Sequence, residues 1–158
     1  MRRYARALTR DAVEADDLVQ QALLKAIEGQ ASFRPDGSLK SWLLAIVHNQ
    51  FVSARRRAEV ETRHLHSLEE QTGVHEAGEE QRLFLQDVYR RFAVLPEAQR
   101  AAIHLVAIEG LTYQEAADTL GLPIGTIMSR LSRARAALRE PAAASERVVR
   151  LVGGRDAG

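Results

Sequence analysis

The stretch Leu111–Arg139, LTYQEAADTLGLPIGTIMSRLSRARAALR, reads as a helix-turn-helix, and the rest of the chain can be placed relative to it. Thr112 followed by Glu115 is a capping box, in which hydroxyl and carboxylate each satisfy an orphan amide at a helix start. The first helix is therefore expected to begin near Tyr113. Gly121 should end it, because glycine takes the left-handed conformation needed just past a helix terminus, and Pro123 then supplies the fixed φ of a new first turn. Ala117, Gly121 and Ile127 suit such a corner: Ala lets the helices touch, Gly makes the turn and Ile wedges between them. In the second helix Ile127, Leu131, Ala134 and Leu138 recur at helical spacing and are expected to face inward. Thr126, Ser129, Arg130 and Arg133 are assigned to the opposite face, and no acidic residue appears between Asp118 and Glu140. Such a helix suits the DNA major groove, where Arg grips guanine edges and Ser or Thr reaches bases or phosphates. The plainer alternative is an amphipathic hairpin with a solvated arginine face; capping box, turn glycine and wedge together argue against it.

The chain as a whole has no basic excess, with 22 Lys and Arg against 21 Asp and Glu. Its charges are instead distributed in blocks: Arg2, Arg3, Arg6 and Arg10; Arg55, Arg56 and Arg57; and Arg130, Arg133, Arg135 and Arg139, with an acidic segment from Glu59 to Glu80 between them. That pattern fits DNA-facing surfaces separated by an acidic connector. The absence of cysteine removes disulfides and thiolate-bound zinc and fits a reducing compartment. No apolar run approaches the roughly 20 residues of a membrane span, so no membrane insertion is expected and the chain reads as cytoplasmic. A composition rich in Ala, Leu, Arg and Glu, with isolated β-branched residues, predicts an all-α protein.

Residues 2–9 look like the end of a helix, with Tyr4, Ala7 and Leu8 on one side and arginines on the other. Asp11 is the N-cap of a longer helix through Glu28, closed by Gly29, with Leu18, Ala22, Leu23, Ala26 and Ile27 as its expected apolar face and Asp16, Asp17, Gln20, Gln21 and Lys25 opposite. Adjacent helical residues point about 100° apart, so Asp16 and Asp17 do not jointly chelate a metal, and no metal or other cofactor is expected. Phe33–Gly37 (FRPDG) is a loop, and Ser38 caps a helix reaching about Arg57, whose expected stripe is Leu39, Trp42, Leu43, Ile46, Val47 and Phe51. Trp42 is assigned to the core on that stripe. From Ala58 to Gly78 the apolar pattern lapses, which marks a linker; His64, His66 and His75 lie there without the fixed framework that zinc needs. A further helix covers Glu79–Val94, with Leu83, Leu85, Val88 and Phe92 apolar. Pro96 opens the next, in which Ile103, Leu105, Val106 and Ile108 should be buried before Gly110. Pro141 ends the last helix, leaving a flexible tail. No nucleophile and base pair, phosphate-cradling loop or metal cluster marks a catalytic site, so no catalytic residues are assigned.

Three motifs in order, EADDLVQQALLKA (residues 14–26), FRPDGSLKSWLLAIVHNQFVSARRR (33–57) and LPEAQRAAIHLVAIEGLTYQEAADTLGLPIGTIMSRLSRARAAL (95–138), resemble bacterial RNA polymerase sigma factors of the extracytoplasmic-function group. The resemblance implies two small helical bundles joined by a flexible acidic linker: residues 1–58 as a region 2 domain, 59–78 as linker, 79–140 as a region 4 helix-turn-helix domain, and 141–158 as a flexible tail. It implies a non-enzymatic factor that binds core RNA polymerase and promoter DNA, with an anti-sigma factor as a further partner, in a stress or environmental response. Carried over by position, Asp16, Asp17, Gln20 and Gln21 meet the polymerase clamp. Phe33, Arg34, Asp36, Ser38, Lys40 and Asn49 hold the melted minus-ten box, and Arg55, Arg56 and Arg57 lie along its phosphates. Thr126, Ser129, Arg130 and Arg133 face the minus-thirty-five box. Met128 departs from the family, which often has a basic residue there, as does Gln21, where Glu is usual. The family also carries about one more helical segment before Arg2, so the first bundle reads as truncated. Two alternatives remain: a sigma mimic that binds an anti-sigma factor without touching DNA, and a regulator that uses only the helix-turn-helix.

Overall fold

The computed structural model describes residues 1–61 and 79–139, and the side chains of 1–59 and 86–139. The linker with its three histidines, Leu83 and Leu85, and the segment after Arg139 lie outside the described side chains. Among the described residues the chain is all-α. Its helices are α1 (Arg2–Thr9), α2 (Ala12–Glu28), α3 (Leu39–Glu61), α4 (Glu79–Val94), α5 (Glu97–Ile103), α6 (Tyr113–Leu120) and α7 (Ile124–Arg139), with a 3₁₀ turn at Gln30–Ser32 and a π turn at His104–Ile108.

The ends of these helices follow from side-chain chemistry. Asp11 accepts the Glu14 amide at 2.8 Å to start α2, and Ser38 accepts the Ser41 amide at 3.2 Å to start α3. Thr112 and Glu115 form the full capping box of α6, and Gly121 ends that helix at φ 64°. The π turn was not legible in the sequence. It carries Leu105 into the core but turns Ile108 outward at 45% exposure, contrary to the expectation that Ile108 is buried.

Two other expected faces are corrected by the packing. On α2 the buried residues are Ala15, Leu18, Ala22 and Ala26, whereas Leu23 and Ile27 are exposed. Alanines fill that face because α1 and α3 both approach α2, and small side chains permit close approach. On α3 the buried positions are Leu44 and Val47, with Phe51 packed beside them; Leu39 is exposed, and Trp42 is half-buried against Phe33 rather than in the core. Val88 on α4 is also exposed.

The buried apolar side chains of α1–α3 and those of α5–α7 form one continuous cluster, from Tyr4 and Leu8 through Leu44 and Val47 to Leu105, Ala116 and Leu131. Helix α1 packs on α5, and α3 packs on α6. At the α1–α5 contact lies Arg100, only 5% exposed. Its guanidinium donates from Nε to the Ala7 carbonyl, from Nη2 to the Leu8 carbonyl at 3.3 Å, and from Nη1 to the Leu95 carbonyl at 2.7 Å. These carbonyls include the last turn of α1, where no intrahelical donor remains and a cation is favoured by the helix dipole. Replacing Arg100 with Leu leaves buried carbonyls without donors, a loss of about 3 kcal/mol. Urea denaturation checks this: a midpoint unchanged from wild type would remove Arg100 from the packing account.

Candidate nucleic-acid interface

Helix α7 is seated by Ile127, Leu131 and Ala134, each fully buried, with Leu138 packed at the end. Stepping 100° per residue from these positions puts Gly125, Ser129, Ser132 and Ala136 farthest from the core, with Arg133 beside them. Ser129, Ser132 and Arg133 are exposed, and Ser129 donates back to the Thr126 carbonyl at 3.0 Å. Ser132 was missed in the sequence reading, although the same helical count identifies it. Thr126 and Arg130 are half-buried on one flank, and Arg130 is near enough to His48 of α3 to act on its charge. On the other flank Met128 is 54% exposed, and Arg135 donates to the Tyr113 hydroxyl at 3.1 Å while lying over its ring.

A second group of candidates lies around the start of α3 and along it. Phe33 packs on Trp42 with ring centroids 5.3 Å apart, while Arg34 and Asp36 are exposed in a turn closed by the Gly37 amide on the Arg34 carbonyl at 2.9 Å. Ser38 is committed to capping. Asn49 is exposed, on the side of α3 away from Leu44 and Val47. Arg56 and Arg57 are exposed, and Arg57 donates to the Ser53 carbonyl at 3.3 Å. Two cations of the group are engaged elsewhere: Lys40 with Glu109, and Arg55 with Glu59 and Glu97.

On α2, Asp17, Gln20 and Gln21 are exposed as expected. Asp16 is instead held by Arg2, at 2.6 and 2.7 Å through its two oxygens. The polar residues share their face with Val13, Leu24 and Ile27, which are 71, 61 and 66% exposed. Polar groups interleaved with three exposed aliphatic side chains suit a protein partner better than solvent. Val13 and Leu24 carry no signal in the sequence that marks them for this face, and Ile27, expected in the core, is exposed here as well.

Between these surfaces lies a buried aromatic and ionic cluster. The Tyr4 hydroxyl is 3.0 Å from His48 Nδ1, and the Tyr4 ring packs 5.4 Å from His104. Burial raises the pKa of the Tyr4 phenol above its ordinary value, so it stays protonated. Burial, with the Arg130 charge in addition, lowers His48 from 6.5 to about 4. Burial also lowers His104 from 6.5 to about 4, against the opposing pull of Glu109, whose Oε1 is 3.5 Å from His104 Nε2. Burial by itself raises the Glu109 carboxyl, but the Lys40 hydrogen bond, the N-terminal ammonium and the Lys40 charge outweigh it and hold the group below its usual range.

Residues 85–138 match the family described as Sigma-70, region 4, and residues 1–48 match the Sigma2 domain of PhyR. The ECF RNA polymerase sigma factor EcfG of Rhodopseudomonas palustris is 36% identical over 138 residues, covering 87% of this chain and 76% of that protein. The chain belongs to the extracytoplasmic-function sigma factors. The sigma-E factor of Escherichia coli K12 is 33% identical over 137 residues, with 79% of this chain and 72% of that protein covered. Among solved structures, the Bartonella quintana sigma factor RpoE in complex with the anti-sigma factor NepR superimposes with a TM-score of 0.74 at 38% identity, covering 87% of this chain and 86% of that one. CnrH in complex with the cytosolic domain of CnrY gives 0.60 at 28% identity, covering 87 and 76%. This sigma factor therefore serves promoter recognition and transcription initiation, a regulatory rather than a catalytic role. No helix among its described residues is long and apolar enough to cross a membrane.

The histidine pair makes the packing of this sigma factor sensitive to acid. An unfolded chain takes up these protons near pH 6.5 and the folded chain only near 4, so the stabilisation is complete above about 6.5 and is lost as pH falls towards 4. Each histidine contributes at most about 3 kcal/mol. Glu109 acts lower: its contribution is present above the ordinary carboxylate range and is lost only as pH falls below it. Urea midpoints at pH 7 and pH 5 should differ clearly, and less so in a His104→Leu variant, whose lost ring nitrogens have no hydrogen-bond partner in the folded chain. Equal midpoints at both pH values in the wild type would show that the histidines are not held neutral.

Proposed function

We propose that this sigma factor works in the cytoplasm, binds core RNA polymerase through the exposed face of α2, and reads its promoter at two separated places. The polymerase face consists of Asp17, Gln20 and Gln21, extended by Val13, Leu24 and Ile27; Asp16 contributes through its pair with Arg2. The minus-ten box is held by Phe33, Arg34, Asp36, Ser38, Lys40 and Asn49, with Arg55, Arg56 and Arg57 along phosphates. The minus-thirty-five box is read by α7 through Ser129, Arg133 and Ser132, with Thr126 and Arg130 at the flank. An anti-sigma factor is the natural regulator, by likeness to the Bartonella protein seen with NepR.

The observation that carries this reading is the outward side of α7, where Ser129, Ser132 and Arg133 are exposed on a helix seated in the core by Ile127, Leu131 and Ala134. An Arg in that position either grips a guanine edge, with loss of about 1 to 3 kcal/mol and of preference at one base pair on removal, or contacts phosphate and flattens the salt dependence by about one unit. Asn49, exposed nearly three turns into α3, offers an amide that matches a base edge available only in the melted strand. Holoenzyme carrying Asn49→Ala should bind duplex normally and lose preference among single-stranded minus-ten oligonucleotides. An unaltered preference would remove Asn49 from the site. Asp17→Arg should abolish core binding in a pull-down with an intact circular dichroism spectrum, and retained binding would refute the α2 assignment. If Arg130→Ala and Arg133→Ala both leave duplex binding unchanged, the sigma-mimic reading takes over.

A further inference from the structure

Among the described residues, the ion pairs that join the two halves have one polarity: bases come from α1–α3 and acids from the second half. Lys40 Nζ lies 3.2 Å from Glu109 Oε2 and also donates to the Glu109 carbonyl. Arg3 Nη2 lies 3.8 Å from Glu109 Oε1, and the Arg55 guanidinium pairs with the Glu97 carboxylate. Lys40 and Arg55 stand at opposite parts of α3, about 22 Å apart along its axis. Both belong to the cations assigned above to the minus-ten strand. Glu97 opens α5, and Glu109 follows the π turn that leads into the helix-turn-helix.

We propose that Glu97 and Glu109 are internal stand-ins for promoter phosphates: in the isolated chain they occupy Lys40 and Arg55, add to the apolar and Arg100 contacts that hold the halves closed, and keep the minus-ten surface from DNA until the seam opens. The inference rests on the minus-ten reading of α3. Geometry requires the opening. Boxes about 25 base pairs apart lie roughly 85 Å apart on duplex at ~3.4 Å per base pair. A chain of this length packed as one body has a radius of gyration of about 15 Å and spans only about 40 Å. With Lys40 in contact with Glu109, a few residues from α6, the two DNA surfaces sit on one such body and cannot reach both boxes. Breaking the seam strips Glu109 of its cations, and promoter phosphates then take the places that the two carboxylates held on α3.

Dipole complementation explains an acid at the start of α5 just as well. It does not explain why both acids face cations of the same DNA-binding helix. The test is binding of a fluorescent random-sequence single-stranded 20-mer by the isolated full chain, titrated over salt. Glu97→Gln/Glu109→Gln should bind about tenfold tighter than wild type, with a salt slope steeper by about 1.4, that is about 0.7 for each additional phosphate neutralised. A control of equal charge change, Glu14→Gln/Glu28→Gln on α2, should bind as wild type does. Glu97→Gln alone, at a side chain 29% exposed, should give about a threefold gain and keeps the test readable if the double variant fails to fold. In a Lys40→Ala/Arg55→Ala background the gain should vanish. Equal binding by wild type and the acid variants, an equal gain in the α2 control, or a gain that survives removal of Lys40 and Arg55 would each overturn the proposal. Failure of the minus-ten reading itself shows separately: holoenzyme carrying Lys40→Ala/Arg55→Ala would then open promoters as wild type does.

Discussion

The arrangement depends on two buried charges at the junction of the halves, each facing groups of the other half. Arg100, almost without solvent, donates to the carbonyls of Ala7, Leu8 and Leu95, which ties α1 to α5. Glu109, equally buried, has Lys40 and Arg3 as its cations, so the start of α3 must lie against the π turn. A buried charge stripped of its partner costs several kcal/mol, which makes these contacts far less negotiable than the surface pairs Arg2–Asp16 or Lys25–Glu28. Beside Glu109, His104 packs on Tyr4 and Tyr4 meets His48, and burial keeps all three of these groups neutral at pH 7.

What was legible in the sequence was local. Helix ends at Asp11, Ser38, Thr112 and Gly121 were readable because a cap is decided by a few neighbouring residues. Helix α7 was readable because Ile127, Leu131 and Ala134 recur at helical spacing and each is buried. The core faces of α2 and α3 were less so. Leu43 and Leu44, or Ile46 and Val47, are adjacent apolar pairs, and periodicity cannot choose between positions 100° apart when both are hydrophobic. On α2 the alanines that permit close packing carry weak hydropathy, whereas Leu24 and Ile27, which face outward, carry strong. Arg100 and Glu109 were not legible at all: their partners lie up to 93 positions away, and neither has a local motif.

The same limits shaped the functional reading. Type and position identified Asp17, Asn49 and Arg133 as accessible, and each is exposed. They did not reveal that Lys40 and Arg55 are held by acids of the second half, that Arg130 flanks α3 rather than pointing straight outward, or that Ser132 belongs to the outermost face of α7. An exposed surface can be inferred from helical spacing, but engagement with a distant segment depends on how the halves meet.

If Glu97 and Glu109 yield their cations to the promoter as proposed, the closed packing of the isolated chain gives way to a separated one there. The chain has no cysteine, so spin labels can be placed uniquely at Lys25→Cys on α2 and Ala137→Cys on α7, both exposed and outside the assigned binding surfaces. Pulsed electron resonance should give one short, narrow distance for the isolated chain and a distance longer by about 30 Å or more in complex with core polymerase and promoter, given the roughly 85 Å between the boxes. The same short distance in the promoter complex would contradict the account.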